Sequence, residues 1–199
     1  MRRDTGGVPS RLTVAACGAA LALALTGCGE SSSSGSPVAP QLKVLDTGTD
    51  GTIAAADRQP APVLTGTTLD GKALSTADYA GQVVVLNFWA SWCGPCRSEV
   101  KTLNEAAAQT RAEGVQFIGV NVKDDADAAR AFERAQQVPY PSLSDQPGRL
   151  LLGFRGIVPQ TPPTTLVLDR QGRIAASFTG EVDLLQLRGP LEQIAAESA

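Results

Sequence analysis

The chain has 199 residues, 43% of them hydrophobic, enough for one domain of ordinary size with its own core. Seventeen Lys and Arg stand against twenty Asp and Glu, a net charge of −3, with no basic run and few aromatics, which argues against electrostatic binding to nucleic acid. Histidine is absent, which removes the commonest metal ligand and the commonest general base, so catalysis has to rest on Cys, a carboxylate, Lys or Tyr.

Residues 1–27 have a positive start (Arg2, Arg3, Arg11) and an apolar run from Leu12 to Leu25, the layout of a secretory signal peptide. The run is shorter than the roughly 20 residues that a membrane-spanning helix needs. It ends in Leu25-Thr26-Gly27-Cys28, which resembles the bacterial lipobox, where cleavage before the Cys leaves that Cys lipidated. Ordinary signal cleavage, with Cys28 a free thiol, is the alternative. Loss of residues 1–27 removes three Arg and one Asp, leaving 14 basic and 19 acidic side chains and a charge of −5. Several acyl chains on Cys28 would supply the multiple anchors that stable attachment to a membrane requires. Residues 28–60 are read as the lipidated Cys and a Ser/Gly/Pro-rich tether, and residues 61–199 as one domain.

Within that domain, Asp70-Gly71 marks a hairpin turn, and "STADYAGQ" reads as a short helical turn closing at Gly81. "QVVVLNFWA" is a continuous β-branched and aromatic run, hence a buried central strand. Residues 94–112 read as a helix with Val100, Leu103 and Ala107 on one face. A second buried strand follows at "VQFIGVNV". Residues 124–137 form an acidic-start helix with Ala128, Ala131, Phe132 and Ala135 inward, and "GRLLLGF" a short helix or turn. "TTLVLD" and "RIAASFTG" are strands joined through Arg170-Gln171-Gly172, and the last helix is interrupted near Gly189-Pro190. This order predicts an α/β domain with a mixed sheet.

Cys93 and Cys96 lie directly after the first buried strand, at the start of a helix. Unpaired N–H groups and the partial positive charge of a helix N-terminus stabilise a thiolate, so Cys93 is predicted to be the exposed nucleophile. Cys96, one turn on, can attack a mixed disulfide at Cys93 and release the reduced partner. Pro95 is tolerated in a first helical turn, and Gly94 relieves crowding there. A zinc site lacks ligands, since lipidation of Cys28 leaves two Cys in the domain and there is no His. A purely structural disulfide would close a four-residue loop and stabilise little.

"NFWASWCGPCRSE" resembles the active site of thioredoxin-fold proteins, specifically the TlpA/ResA-like branch of extracytoplasmic thiol-disulfide oxidoreductases, over roughly residues 61–196. Asn87 is similar to that branch, where cytoplasmic thioredoxins usually carry Asp. "VNVKDDADAARAFERAQQVPYPSLSDQPG" resembles its helix-strand insertion, and "PPTTLVLDRQGRI" the segment holding the family's cis-proline, which falls on Pro163. The resemblance implies a thioredoxin fold with an N-terminal β-hairpin extension, and catalytic roles for Cys93, Cys96 and Glu99. Glu99 would be a partly buried acid exchanging a proton with the inner Cys. Trp92, Gly94, Pro95 and Pro163 would support the site, Trp92 by shaping the surface beside the disulfide or by filling core. Two departures stand out: Lys101 replaces a helix-kinking Pro, and Pro162 has no N–H to offer a substrate backbone.

The implied function is a membrane-tethered protein-disulfide reductase on the extracytoplasmic face of a bacterial membrane, with no cofactor or metal. Its implied partners are exported proteins with disulfides, apocytochrome c among them, and a membrane electron donor of CcdA/DsbD type. A disulfide oxidase would use the same residues with opposite electron flow. A thiol peroxidase would want a Thr-x-x pattern before its Cys, and a copper-binding assembly factor a His that the chain lacks.

Overall fold

The structure, a computed structural model, describes residues 45–158 and 160–197. The signal segment, Cys28 and the tether through residue 44 lie outside the described residues. Five strands form the central sheet in the order β5-β4-β3-β6-β7, with β3 (Val83–Trp89), β4 (Val115–Val122), β5 (Ser142–Asp145), β6 (Thr164–Leu168) and β7 (Ile174–Thr179). β3, β4 and β5 run parallel; β6 and β7 are antiparallel additions, so the sheet is mixed as predicted. A separate hairpin, β1 (Thr65–Thr67) and β2 (Ala73–Ser75), turns at Gly71, whose φ of 86° suits a residue without a Cβ.

β3 is the middle strand and is buried along its whole length. Its side chains alternate between two cores, as strand geometry requires. Val84, Leu86 and Phe88 join Ile53, Leu64, Leu151 and Phe154 on one face. Val83 and Val85 face the other way, with Leu103 and Ala106 of α1 (Gly94–Thr110) and Leu187, Leu191 and Ile194 of α4 (Leu184–Ala195). Asn87 and Trp89 share this second direction, which aims them at the first turns of α1.

Three expectations need correction, and one strand, β5, answers to the family resemblance alone. The fold begins before Ala61: Ile53 lies in the core, Thr52 bridges Ala176, Pro60 bridges Arg173, and Arg58 is buried against Asp169. One large apolar residue, Ile53, followed by three alanines, gives no strand or helix periodicity there. β5 was legible only through the resemblance to a family insertion, because four residues, two of them Ser, make a weak strand pattern. α2 (Ala126–Gln136), capped by Asp125, buries Ala129 and Phe132 and leaves Ala128, Ala131 and Ala135 exposed. Alanines say little about which face turns inward; Phe132, packed on Trp89 with ring centroids 5.2 Å apart, decides it. Finally, α4 runs unbroken through Pro190. Burial of Leu187, Pro190, Leu191 and Ile194 offsets the one hydrogen bond that the proline forgoes.

Candidate active site

The site is built where β3 ends and α1 begins. After Trp89 the chain turns through Ala90–Ser91–Trp92, and the Cys93 N–H closes the turn on the Ala90 carbonyl at 3.1 Å. Cys93 is the N-cap of α1, with Gly94 and Pro95 in the first turn. Its sulfur accepts the Cys96 N–H at 3.2 Å, so it occupies the position where a helix N-terminus stabilises negative charge. The two sulfurs are bonded, 2.06 Å apart. α1 continues unbroken past Lys101.

Cys93 is not exposed as predicted: it is 4% accessible and Cys96 3%. Both pack with Trp89, Ala90, Val100, Ala129 and Phe132. What faces solvent is Trp92, 61% exposed, with its indole N–H donated to the Lys123 carbonyl at 3.1 Å. Trp92 therefore shapes the surface and fills no core. Trp89 is the core indole, and its N–H reaches the Ser142 hydroxyl at 3.2 Å. Gly119 makes that reach possible: a Cβ there would stand 2.1 Å from Ser142 Oγ and 2.8 Å from Trp89 Nε1.

Glu99, one helical turn beyond Cys96, is 1% exposed. Asn87 donates its side-chain N–H to one Glu99 oxygen at 2.8 Å, and the Val182 backbone N–H reaches the other at 3.1 Å. Asn87 also donates to Thr165 Oγ1 at 3.0 Å, which fixes its orientation between strands β3 and β6. No cation is among these partners. Burial pushes the Glu99 carboxyl up to about 7, the two hydrogen bonds only partly offset this, and the nearby Glu181 charge adds to it. The Tyr140 hydroxyl is also shifted upward, by burial and then by the charges of Glu99 and Glu133. A cavity of about 10 Å³ lies behind Cys96, lined by Asn87, Trp89, Val100, Phe132 and Tyr140 among others. Such a space is at the lower limit for one water.

Pro163 is buried and follows a cis peptide bond from Pro162. Thr164, the next residue, pairs with Phe88, so Pro163 flanks the end of β3 from which the cysteines emerge. Its carbonyl accepts the Gly180 N–H at 3.0 Å. Two larger clefts, of about 520 and 580 Å³, are lined by neither cysteine. Beside the buried disulfide it is Trp92 that reaches solvent, and the small cavity against Cys96 is too small for an organic ligand, an arrangement that suits a macromolecular substrate.

Short spacings or the family pattern single out Cys93, Cys96, Glu99 and Pro163 in the sequence. Neither signal reaches Val182, which is 83 residues from the carboxylate it serves. Asp124 reads only as part of an acidic helix start. The Asp124-Asp125 doublet was the available signal, since one Asp suffices to cap a helix.

Residues 58–177 match the AhpC/TSA family. A thiol-disulfide oxidoreductase ResA from Bacillus thuringiensis (strain Al Hakam) is 31% identical over 134 residues, covering 67% of this chain and 76% of that protein. A secreted thiol-disulfide isomerase from Corynebacterium glutamicum superposes with a TM-score of 0.71 at 33% identity, over 78% of this chain and 99% of the other. A DsbF homologue from Corynebacterium diphtheriae gives 0.67 at 34% identity, over 71% and 90%.

Proposed function

Because the chain belongs to the AhpC/TSA family and is a thiol-disulfide oxidoreductase of the ResA kind, we propose that it works as a membrane-tethered, extracytoplasmic protein-disulfide reductase of the apocytochrome c maturation type. The observation that carries this reading is the Cys93–Cys96 pair at the N-terminus of α1, with Glu99 buried one turn behind Cys96 among neutral partners and its carboxyl raised to about 7. An acid poised near neutral pH can take the proton of an inner thiol when that thiol must attack.

The steps balance without a cofactor. In the reduced chain the Cys93 thiolate attacks a substrate disulfide, forming a mixed disulfide and releasing one substrate sulfur as a thiolate, which takes a proton from water. The Cys96 thiol then gives its proton to Glu99 and attacks Cys93 Sγ. The second substrate sulfur leaves, takes up a proton, and the Cys93–Cys96 bond closes. Two electrons have passed from the chain to the substrate. A membrane dithiol donor of CcdA/DsbD type would return them.

The Gly94-Pro95 spacer is the thioredoxin spacer, and it supports reduction over oxidation; thioredoxin stands at about −270 mV. A thiol peroxidase has less support, since Ala90 occupies the position of the Thr in the Thr-x-x pattern. Equilibration of the mature protein with defined thiol buffers is expected to give a potential near the thioredoxin value. A potential of about −120 mV, the strong-oxidant end of the scale, would make the chain a disulfide donor instead. Tethering has its own test: Cys28→Ala should release the protein from the membrane fraction.

A further inference from the structure

The short elbow between β3 and Cys93 is held from outside by the corner that joins β4 to α2. Asp124 sits in that corner, 6% exposed, and accepts four hydrogen bonds. The Ser91 N–H and the Asn121 side-chain N–H reach Oδ2 at 2.6 and 2.9 Å. The Ser91 hydroxyl and the Asp125 N–H reach Oδ1, both at 2.9 Å. Arg97, lying 5.5 Å over the Phe132 ring, donates to the Ser91 carbonyl at 3.3 Å. Every polar group of Ser91 is therefore committed, and the Trp92 indole is bonded to the neighbouring Lys123 carbonyl. Lys123 itself has a φ of 50°, a left-handed backbone that side chains disfavour and that this corner maintains.

We propose that Asp124 is a positioning residue for disulfide exchange: by clamping Ser91 through both its N–H and its hydroxyl, it holds the elbow so that Cys93 presents its sulfur in one attack-ready geometry. This rests on the reading of Cys93 and Cys96 as the exchanging pair. Exchange needs the three participating sulfurs nearly in line, and orientation of reacting groups governs such rates strongly. Asparagine cannot replace the carboxylate, because its amide N–H₂ would face a donor that the present oxygen satisfies. The helix-strand insertion thereby has a part in the chemistry although it contributes no reacting atom.

The test uses the mature full-length chain, insulin disulfides as substrate and dithiothreitol as donor, with kcat and KM measured separately. Asp145→Asn is the control. Asp145 is buried in the same insertion, but its side chain accepts the N–H groups of Arg149, Leu150 and Leu151 and caps a different helix. Asp124→Asn is expected to lower kcat on the order of tenfold with little change in KM. Ser91→Ala, which removes one hydroxyl and spares the fold, should give a smaller loss in the same direction. The double variant should be no worse than Asp124→Asn alone, as coupled residues require. Asp145→Asn should lower thermal stability and keep kcat. Wild-type kcat in Ser91→Ala and Asp124→Asn would overturn the clamp while leaving the redox reading intact, as would a fall in kcat that merely follows stability in all three variants. If Asp124→Asn does not fold, Ser91→Ala alone decides. A wild-type chain that exchanges no disulfide would overturn both readings.

Discussion

Glu99 and Asp169 are equally removed from water, at 1% and 2% exposure, yet they occupy opposite electrostatic settings. Glu99, behind the cysteines, accepts from an amide side chain and a backbone N–H, and its carboxyl rises to about 7. Asp169 is also pushed upward by burial, but backbone and side-chain hydrogen bonds from Arg173 and one from Arg58 reverse the shift, and its carboxyl ends below the ordinary value. Arg58 in turn binds both oxygens of Glu197, at 2.5 and 2.7 Å, tying the segment before β1 to the residues that follow α4. Burial alone therefore does not decide what a carboxylate does. Without a cation its carboxyl is raised toward neutral pH; with two it is held below the ordinary value and braces the fold.

That contrast can be broken from either end. Cys93→Ser should abolish disulfide exchange altogether while leaving the Arg58 brace and the thermal transition of the reduced protein nearly unchanged, as measured by turnover and calorimetry. Arg58→Ala should do the reverse. It removes one of the two cations on buried Asp169 and both hydrogen bonds to Glu197, leaving Arg173 in place, a loss of roughly 1.5–3 kcal/mol in denaturant unfolding, with turnover per folded molecule preserved.

Glu99→Gln probes the poised carboxylate through pH. A carboxyl raised in the folded state binds more protons folded than unfolded, so its contribution to stability falls as pH rises from the unfolded value toward the folded one. Between about pH 5 and pH 8 the wild type should lose roughly 3 kcal/mol relative to Glu99→Gln, given a shift from 4.5 to about 7. Asp169 has the opposite sign: its stabilisation is complete above the ordinary carboxylate range and fades only as pH falls through its lowered value. The smallest effect is expected at Arg188, whose pair with Glu192 is half exposed on both sides. Arg188→Ala should leave unfolding and turnover alike unchanged.

The cysteine pair, its strand-to-helix elbow and the proline segment were legible in the sequence because each is a local pattern, readable within a dozen residues. The Asn87–Glu99 pair is half legible: each residue can be picked out, but not that they bond to each other or that the Val182 N–H reaches the other Glu99 oxygen. Arg58 reads as tether in the sequence because its partner Asp169 lies 111 positions away and nothing nearby announces it. The face of α2 was misread where alanines outnumber the one aromatic that decides packing. In each case the missing information was tertiary, a partner brought close only by the sheet.

The most direct test follows the carboxyl carbon of Glu99 by NMR across pH in the disulfide-bonded protein, with Glu99→Gln used to assign the resonance. A midpoint near 7 is the expected result. A midpoint near the ordinary 4.5 would mean that Glu99 is simply ionised beside the cysteines at neutral pH, and would contradict its role in taking the Cys96 proton.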